Sequence, residues 1–182
     1  IPNGNSVNYW FEYGQTQNLG TKTPILSAGN GITEREFYYQ LLNLALGKKY
    51  YFRIVASSPM GVLAGNILSF ETRKPGWTLV GFPKLIGATV SSLKVSAEII
   101  PNGLASTYYF TYRNKSVLPG QGDELKETPR KTLWASFSSS TVSELIPNFN
   151  PNSLYEFQFL GENALGGSKR GPGLFKTLSS TT

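Results

Sequence analysis

The sequence contains an internal repeat that is long enough to be a complete domain. Ile1-Pro2-Asn3-Gly4 recurs as Ile100-Pro101-Asn102-Gly103, and an aromatic segment follows each copy, at residues 9–13 and 108–112. Both motifs recur at the same spacing of 99 residues. A period of that length corresponds to one β-sandwich domain rather than to a solenoid unit. The chain of 182 residues is therefore predicted to contain two domains of the same kind.

Alternating side chains and frequent turn signals predict strands in both copies. Residues 49–57, 93–100 and 153–160 alternate with a period of two, which is typical of β-strands. Residues 36–44 have nearly helical spacing, but this segment is short and lies between strand signals, so we interpret it as a strand. With about seven strands per repeat and no convincing helix, the pattern predicts an all-β chain of two tandem immunoglobulin-like β-sandwiches.

The predicted domains are residues 1–73 and 84–182, joined by a linker at residues 74–83. The linker is unusually apolar for a flexible tether. Its apolar side chains are Trp77, Leu79, Val80 and Phe82. We favour the interpretation that they are buried at the joint between the domains, and the alternative is a patch for an external partner.

The first predicted domain lacks the opening strands of the second. Residues 85–99 supply two strands before the second Pro-Asn-Gly motif, and nothing corresponds to them before the first. A sandwich without these strands would expose core side chains and an unpaired sheet edge. Three explanations remain open: the sequence is a fragment of a longer chain, another subunit donates the strands, or the apolar linker folds back to replace them.

The composition argues against catalysis and against most metal sites. The chain has no Cys and no His, so disulfides, Cys/His metal sites and Ser-His or Cys-His catalytic pairs cannot form. Asp123, Glu124 and Glu127 lie close together, but a turn with these acids is more typical of a solvated surface than of a calcium loop. We therefore predict no enzymatic activity, no cofactor and no metal.

The charge pattern argues against nucleic acid as a partner. The net charge is +6, but Lys and Arg are spread along the chain and cluster only in pairs. A nucleic-acid-binding protein more often concentrates them on one face. No stretch approaches the length of a transmembrane helix, so no membrane span is predicted.

The motifs of both repeats resemble those of the fibronectin type III-like repeats in bacterial and archaeal cell-surface or filament proteins. In the first repeat the matching residues are Pro2-Asn3-Gly4, Tyr9, Phe11, Tyr13, Leu44, Gly47, Tyr50, Phe52, Ala56, Gly61, Phe70 and Thr72. In the second they are Pro101-Asn102-Gly103, Tyr108, Phe110, Tyr112, Phe149, Tyr155, Phe157, Gly161, Gly166, Phe175 and Thr177. The resemblance covers nearly the whole chain, but Asn152 replaces the Gly of the second Leu-x-x-Gly motif.

The resemblance implies a non-enzymatic structural or adhesive module of an extracellular surface protein or filament. Its partners would be other copies of the protein or the rest of a longer chain. Strand donation between subunits, one of the three explanations above, is one way in which such copies would assemble. The alternative is a carbohydrate-binding accessory module of a larger secreted enzyme or phage tail protein, with polysaccharide as the partner.

Some individual residues are candidates for defined roles. Leu44 and Tyr50, and likewise Phe149 and Tyr155, have the spacing of a tyrosine corner, in which a phenol bonds the upstream backbone. Asn114-Lys115-Ser116 is a formal N-glycosylation acceptor in a predicted loop. Exposed aromatic side chains can stack on sugar rings, although on a sheet they more often pack across strands. The candidates for sugar stacking are Trp10, Tyr39, Tyr51 and Trp134.

Overall fold

The computed structural model describes residues 1–180, which form strands and turns without any helix. Hence no helix that could cross a membrane occurs in this part of the chain. The chain divides into two compact units, one from Ile1 to Lys74 and the other from Pro75 onward. The predicted all-β class is confirmed, and all strand pairs are antiparallel.

The first unit, all of whose residues are described, forms a single sheet. Its strands are β1 (Val7–Gly14), β2 (Thr21–Lys22), β3 (Leu26–Gly29), β4 (Lys49–Ser58), β5 (Gly61–Ala64) and β6 (Leu68–Glu71). The central strands β1 and β4 pair with each other, β2 and β3 flank β1, and β5 and β6 flank β4. Pro24 separates β2 from β3, as expected for a residue that cannot donate a ladder hydrogen bond.

The second unit is a sandwich of two sheets. Its strands are β7 (Leu79–Val80), β8 (Lys84–Ala88), β9 (Leu93–Ile100), β10 (Ser106–Asn114), β11 (Lys126–Glu127), β12 (Lys131–Leu133), β13 (Ser140–Ile146), β14 (Leu154–Asn163) and β15 (Gly166–Lys176). One sheet contains β10, β11, β12, β14 and β15, and the other contains β7, β8, β9 and β13. The first of these sheets corresponds to the single sheet of the first unit.

The core of the second unit lies between its two sheets. Phe110, Phe157 and Phe159 from one sheet meet Leu93 and Ile99 from the other, and all five side chains are almost inaccessible to solvent. Burial of each such side chain stabilises the fold by about 1.5–3 kcal/mol. The alternating pattern predicted at residues 93–100 therefore corresponds to a strand that is buried on one side.

The segment 36–44 does not form a strand, so that prediction is wrong. Its counterpart in the second unit is β13, which pairs with β9 along its whole length. Because the first unit has no counterpart of β9 among its described residues, this segment finds no neighbouring strand to bond. The segment instead packs against the sheet through Phe37, whose ring lies 4.4 Å from that of Tyr9.

Other predicted boundaries also change. Residues 113–132 contain two short strands, β11 and β12, on the edge of β10. Residues 134–139 form no strand, and β12 ends at Leu133. Gly166, Gly167, Gly171 and Gly173 lie within β15, whose register against β14 shifts between Phe157 and Phe159.

The segment predicted as a linker has a different place in the structure. Pro75 and the residues that follow it group with the second unit. Leu79 and Val80 pair with Ile100 and Ile99 of β9, so they extend the four-stranded sheet. The apolar pattern of this segment therefore includes a strand of the second sandwich.

Candidate functional site: the apolar face of the first unit

One face of the first unit's sheet is apolar from edge to edge. Strand register places the side chains of alternate residues on the same face. Those on the apolar face are Leu26, Tyr9, Phe11, Tyr13, Tyr50, Phe52, Ile54, Ala56, Leu63, Leu68 and Phe70. Ring contacts join Phe70 to both Tyr50 and Phe52, which supports this placement. The face has no charged side chain on these strands.

The same face of the second unit is covered by the other sheet. Tyr112 pairs with Phe157 as Tyr13 pairs with Phe52, so Phe157 and Phe52 occupy equivalent positions. Phe157 is completely buried, whereas Phe52 remains partly exposed. The difference arises because β9 and β13, which cover Phe157, have no strand counterparts in the first unit.

The segment 36–44 covers the apolar face only in part. It forms one wall of a cleft of about 420 Å³, whose other wall is the sheet. The cleft is lined by Phe11, Phe37, Tyr38, Tyr39, Leu41, Leu44, Phe52 and Phe70. Tyr38 and Leu42 of this segment are mostly exposed. An apolar cleft of this kind can accept further apolar side chains, and no carboxylate or amine lines it.

The opposite face of the same sheet carries an ion-pair cluster around Glu12. Arg53 donates hydrogen bonds from Nε and Nη2 to Oε2 of Glu12, at 2.9 and 2.7 Å. The bonds from Arg53 lower the pKa of Glu12, against the opposing effect of its burial. Trp10 donates to Glu12 Oε1 at 3.2 Å. The carboxylate of Glu12 therefore has partners at both of its oxygens.

Both tyrosine-corner candidates bond the backbone upstream. Tyr50 Oη accepts a hydrogen bond from the Ala45 amide at 3.1 Å, and Tyr155 Oη accepts one from the Asn150 amide at 2.9 Å. In each unit the bonded amide is five residues before the tyrosine. Leu44 lines the cleft of the first unit, whereas the ring of Phe149 packs 4.2 Å from that of Tyr155. Both corners fix the start of the central strand.

We expect Tyr155→Phe to destabilise the second unit by about 1–3 kcal/mol, because the Asn150 amide and the buried Asn114 side chain both lose their acceptor. Urea unfolding monitored by hydrogen-exchange mass spectrometry would assign the loss to the second unit. Tyr112→Phe is the control, since no described residue hydrogen-bonds the Tyr112 hydroxyl. An equal loss in the two variants would contradict the assigned role of the Tyr155 hydroxyl.

Asn114 lies at the end of β10 rather than in a loop. It is only 6% exposed. Its Nδ2 donates to Tyr155 Oη at 3.4 Å, and its Oδ1 accepts a hydrogen bond from the Ser116 amide at 2.8 Å. A glycan would be attached at Nδ2, which is the atom turned toward Tyr155. The folded unit therefore presents no accessible acceptor at this sequon.

The four apolar residues of the predicted linker have different surroundings. Val80 is buried in the core of the second unit. Leu79 is partly exposed, and Trp77 and Phe82 are more than half exposed. Whether these exposed side chains meet a partner stays a hypothesis. The apolar character of the segment 74–83 is explained in part by Val80, which belongs to the core of the second unit.

The second unit has a polar cleft of about 500 Å³ beside its tyrosine corner. Glu124, Glu127 and Glu144 line it together with Arg113 and Lys126. Asp123 lies nearby and accepts a hydrogen bond from the Gly120 amide at 2.7 Å. Within residues 1–180, no three acidic side chains are grouped closely enough to hold a metal ion. Mixed charges line this cleft, and none of them forms a catalytic pair with His or Cys.

The candidates for sugar stacking have different surroundings, although Trp10 and Tyr51 share one face of the first unit's sheet. Trp134 follows β12 and is 83% exposed. Trp10 lies under Lys22, whose Nζ is 5.4 Å from the ring centre, and Tyr51 has Lys49 in a similar position at 5.3 Å. Tyr39 lines the apolar cleft. Carbohydrate binding therefore stays a hypothesis that depends on Trp134.

Comparisons with known proteins give no identification. No protein family matches the sequence, and no curated protein matches it. The sensor domain of the anti-sigma factor RsgI4 from Pseudobacteroides cellulosolvens is similar over 58% of this chain and 93% of its own length, with 16% identity and a TM-score of 0.40. The FN1–FN3 domains of chicken CNTN1 are similar over 97% of this chain, with 11% identity and a TM-score of 0.41. This chain spans 56% of that structure's length.

Proposed function

We propose that this chain is a non-enzymatic structural module of an extracellular surface protein or filament. In this proposal the apolar face of the first unit is covered by strands from outside the given sequence, supplied by another copy of the protein or by the rest of a longer chain. One observation carries the proposal: the two units share the same aromatic face, and only in the second does the described chain supply the sheet that covers it.

The chemistry of the face supports strands as the covering element. In the second unit the cover presents Leu93, Val95, Ala97 and Ile99, which alternate along β9 and are all buried. Phe52 and Ile54 occupy the positions of Phe157 and Phe159, and both are apolar. An alternating apolar strand therefore matches the first unit's face, as in assemblies that are joined by donated strands.

The test is a graft that supplies the missing strands within the same chain. A copy of residues 84–99 placed directly before Ile1 recreates the natural junction, because Ile1-Pro2-Asn3-Gly4 repeats Ile100-Pro101-Asn102-Gly103. We expect slower hydrogen exchange in β1 and β4, since each newly buried aliphatic side chain contributes about 1.5–3 kcal/mol. We also expect the grafted chain to self-associate less than the natural sequence.

The matched control is the same graft with Val95→Asp and Ile99→Asp in the grafted copy only. These changes keep the length and leave the second unit unaltered, but they place charges on the covering side of the strand. The control is expected to exchange as fast as the ungrafted chain. Equal exchange in β1 and β4 with the intact graft, the charged graft and no graft would show that the face does not accept strands.

A further inference from the structure

The first unit has an unprotected sheet edge at β5. This strand pairs with β4 alone among the described strands, and all of its residues are exposed. Leu63, at its centre, is 76% exposed. No charged residue occurs from Ile54 to Phe70, a run that includes β5 and most of β6. An exposed apolar edge without charges is a template for pairing with another strand.

The second unit protects the equivalent edge. Gly167, Ser168 and Lys169 of β15 occupy the register positions of Val62, Leu63 and Ala64. Ser168 Oγ accepts a hydrogen bond from the Val80 amide at 3.0 Å and donates one to the Thr78 carbonyl at 2.9 Å. Lys169 places a positive charge next to these two hydrogen bonds, and Arg170 places a second one. The edge of β15 is therefore charged and bonded to the segment Thr78–Val80, whereas the edge of β5 is uncharged and open.

The hydrogen-bond pattern identifies which backbone groups are free at the edge. The Gly65 amide donates to the Ile54 carbonyl at 2.9 Å, so Ile54 and Gly65 form a hydrogen-bonded pair. Because such pairs alternate along an antiparallel ladder, Leu63 directs its N–H and C=O toward β4. Val62 and Ala64 direct theirs toward the open side.

We propose that β5 pairs with β5 of a second copy of this chain, antiparallel, about a two-fold axis at Leu63. Val62 of each copy then bonds Ala64 of the other, so the free groups at both positions find partners. Leu63 lies opposite Leu63 of the second copy in a non-hydrogen-bonded pair, with Cα atoms about 4.5 Å apart.

A second copy fits this edge better than a charged peptide does. In a two-fold interface the same residues of both molecules face each other. Because β5 has no charged residue, pairing with a second β5 brings no like charges together. The inference is separate from the proposed function, because donated strands would cover the apolar face and leave β5 at the edge of its own sheet.

The test uses engineered cysteines in a chain that has none of its own. In the full-length chain, Leu63→Cys treated with oxidised glutathione should form a disulfide-linked dimer, because about 4.5 Å between Cα atoms suits a disulfide. Val62→Cys is the matched control: it is similarly exposed, but it lies opposite Ala64 and should not link to itself. Equal linking of both variants, or none by Leu63→Cys, would overturn the proposed register.

A second variant tests the pairing without cysteine. Ala64→Lys gives β5 the residue that the second unit has at Lys169, and it should convert a species of twice the monomer mass to the monomer in sedimentation analysis. Lys169→Ala is the control and should leave the mass unchanged. A natural chain that stays monomeric at high concentration would overturn the proposal. The Leu63→Cys disulfide should also form in the grafted chain, whose apolar face is covered. This result would show that pairing through β5 does not depend on an open apolar face.

Discussion

Phe157→Ala is expected to destabilise the second unit by about 3–5 kcal/mol, because it removes a completely buried ring from the centre of the core. The ring contacts those of Tyr112, Phe149 and Phe175, at centroid distances of 5.6, 6.1 and 5.4 Å. The cavity that remains is surrounded by both sheets and cannot collapse easily. Chemical denaturation with hydrogen exchange resolved by peptide would measure the loss in the second unit.

The matched variant in the first unit is Phe52→Ala, at the equivalent position of β4. We expect a loss of less than about 2 kcal/mol, because the ring is already partly exposed and water can fill the space it leaves. The comparison should be made at concentrations where the chain is monomeric. Equal losses from the two variants in the monomer would show that the first unit's face is covered in solution, contrary to the structure.

Gly161→Ala is expected to destabilise the second unit by about 1–3 kcal/mol through overpacking. An added Cβ would lie 2.7 Å from Val80 Cγ1, 3.0 Å from Thr78 Cγ2 and 3.1 Å from Ile99 Cδ1. The least costly relief is displacement of β7, so faster exchange should appear first at the Val80 amide. That amide is bonded to Ser168 Oγ in the native unit.

The first unit already has alanine at the equivalent position, Ala56, and no β7 above it. Ala56→Gly is therefore the reciprocal variant. We expect it to lower the stability of the first unit by about 0.5–1 kcal/mol, which is the typical cost of glycine within a strand. If Gly161→Ala proved as mild as Ala56→Gly, then β7 would not be packed against β14 in solution.

The sequence predicted most accurately those elements whose side-chain pattern and strand partners lie within one repeat. The strand at residues 93–100 was predicted correctly because one side of β9 is buried, which imposes a strict alternation. Segment 36–44 has a comparable supply of apolar residues, but a strand also needs a neighbour for its backbone groups. The side-chain pattern does not contain that information.

The candidate site was predictable in part. The lack of a second sheet over the first unit was predicted, because no segment before its Pro-Asn-Gly motif corresponds to residues 85–99. Both predicted tyrosine corners form a hydrogen bond with the upstream backbone. The open edge at β5 was missed, although the uncharged run from Ile54 to Phe70 was visible in the sequence. Such a run is equally typical of a covered strand, and only the sheet order shows that β5 is at the end.

The charged edge of β15 also limits how far pairing through β5 can extend. Since Lys169 and Arg170 stand where the first unit has Ala64 and Gly65, the equivalent edge of the second unit does not offer the same contact. A two-fold contact between two copies of one strand is closed, because it occupies that edge in both molecules of the dimer. Growth into a fibre would therefore need a second contact of different chemistry.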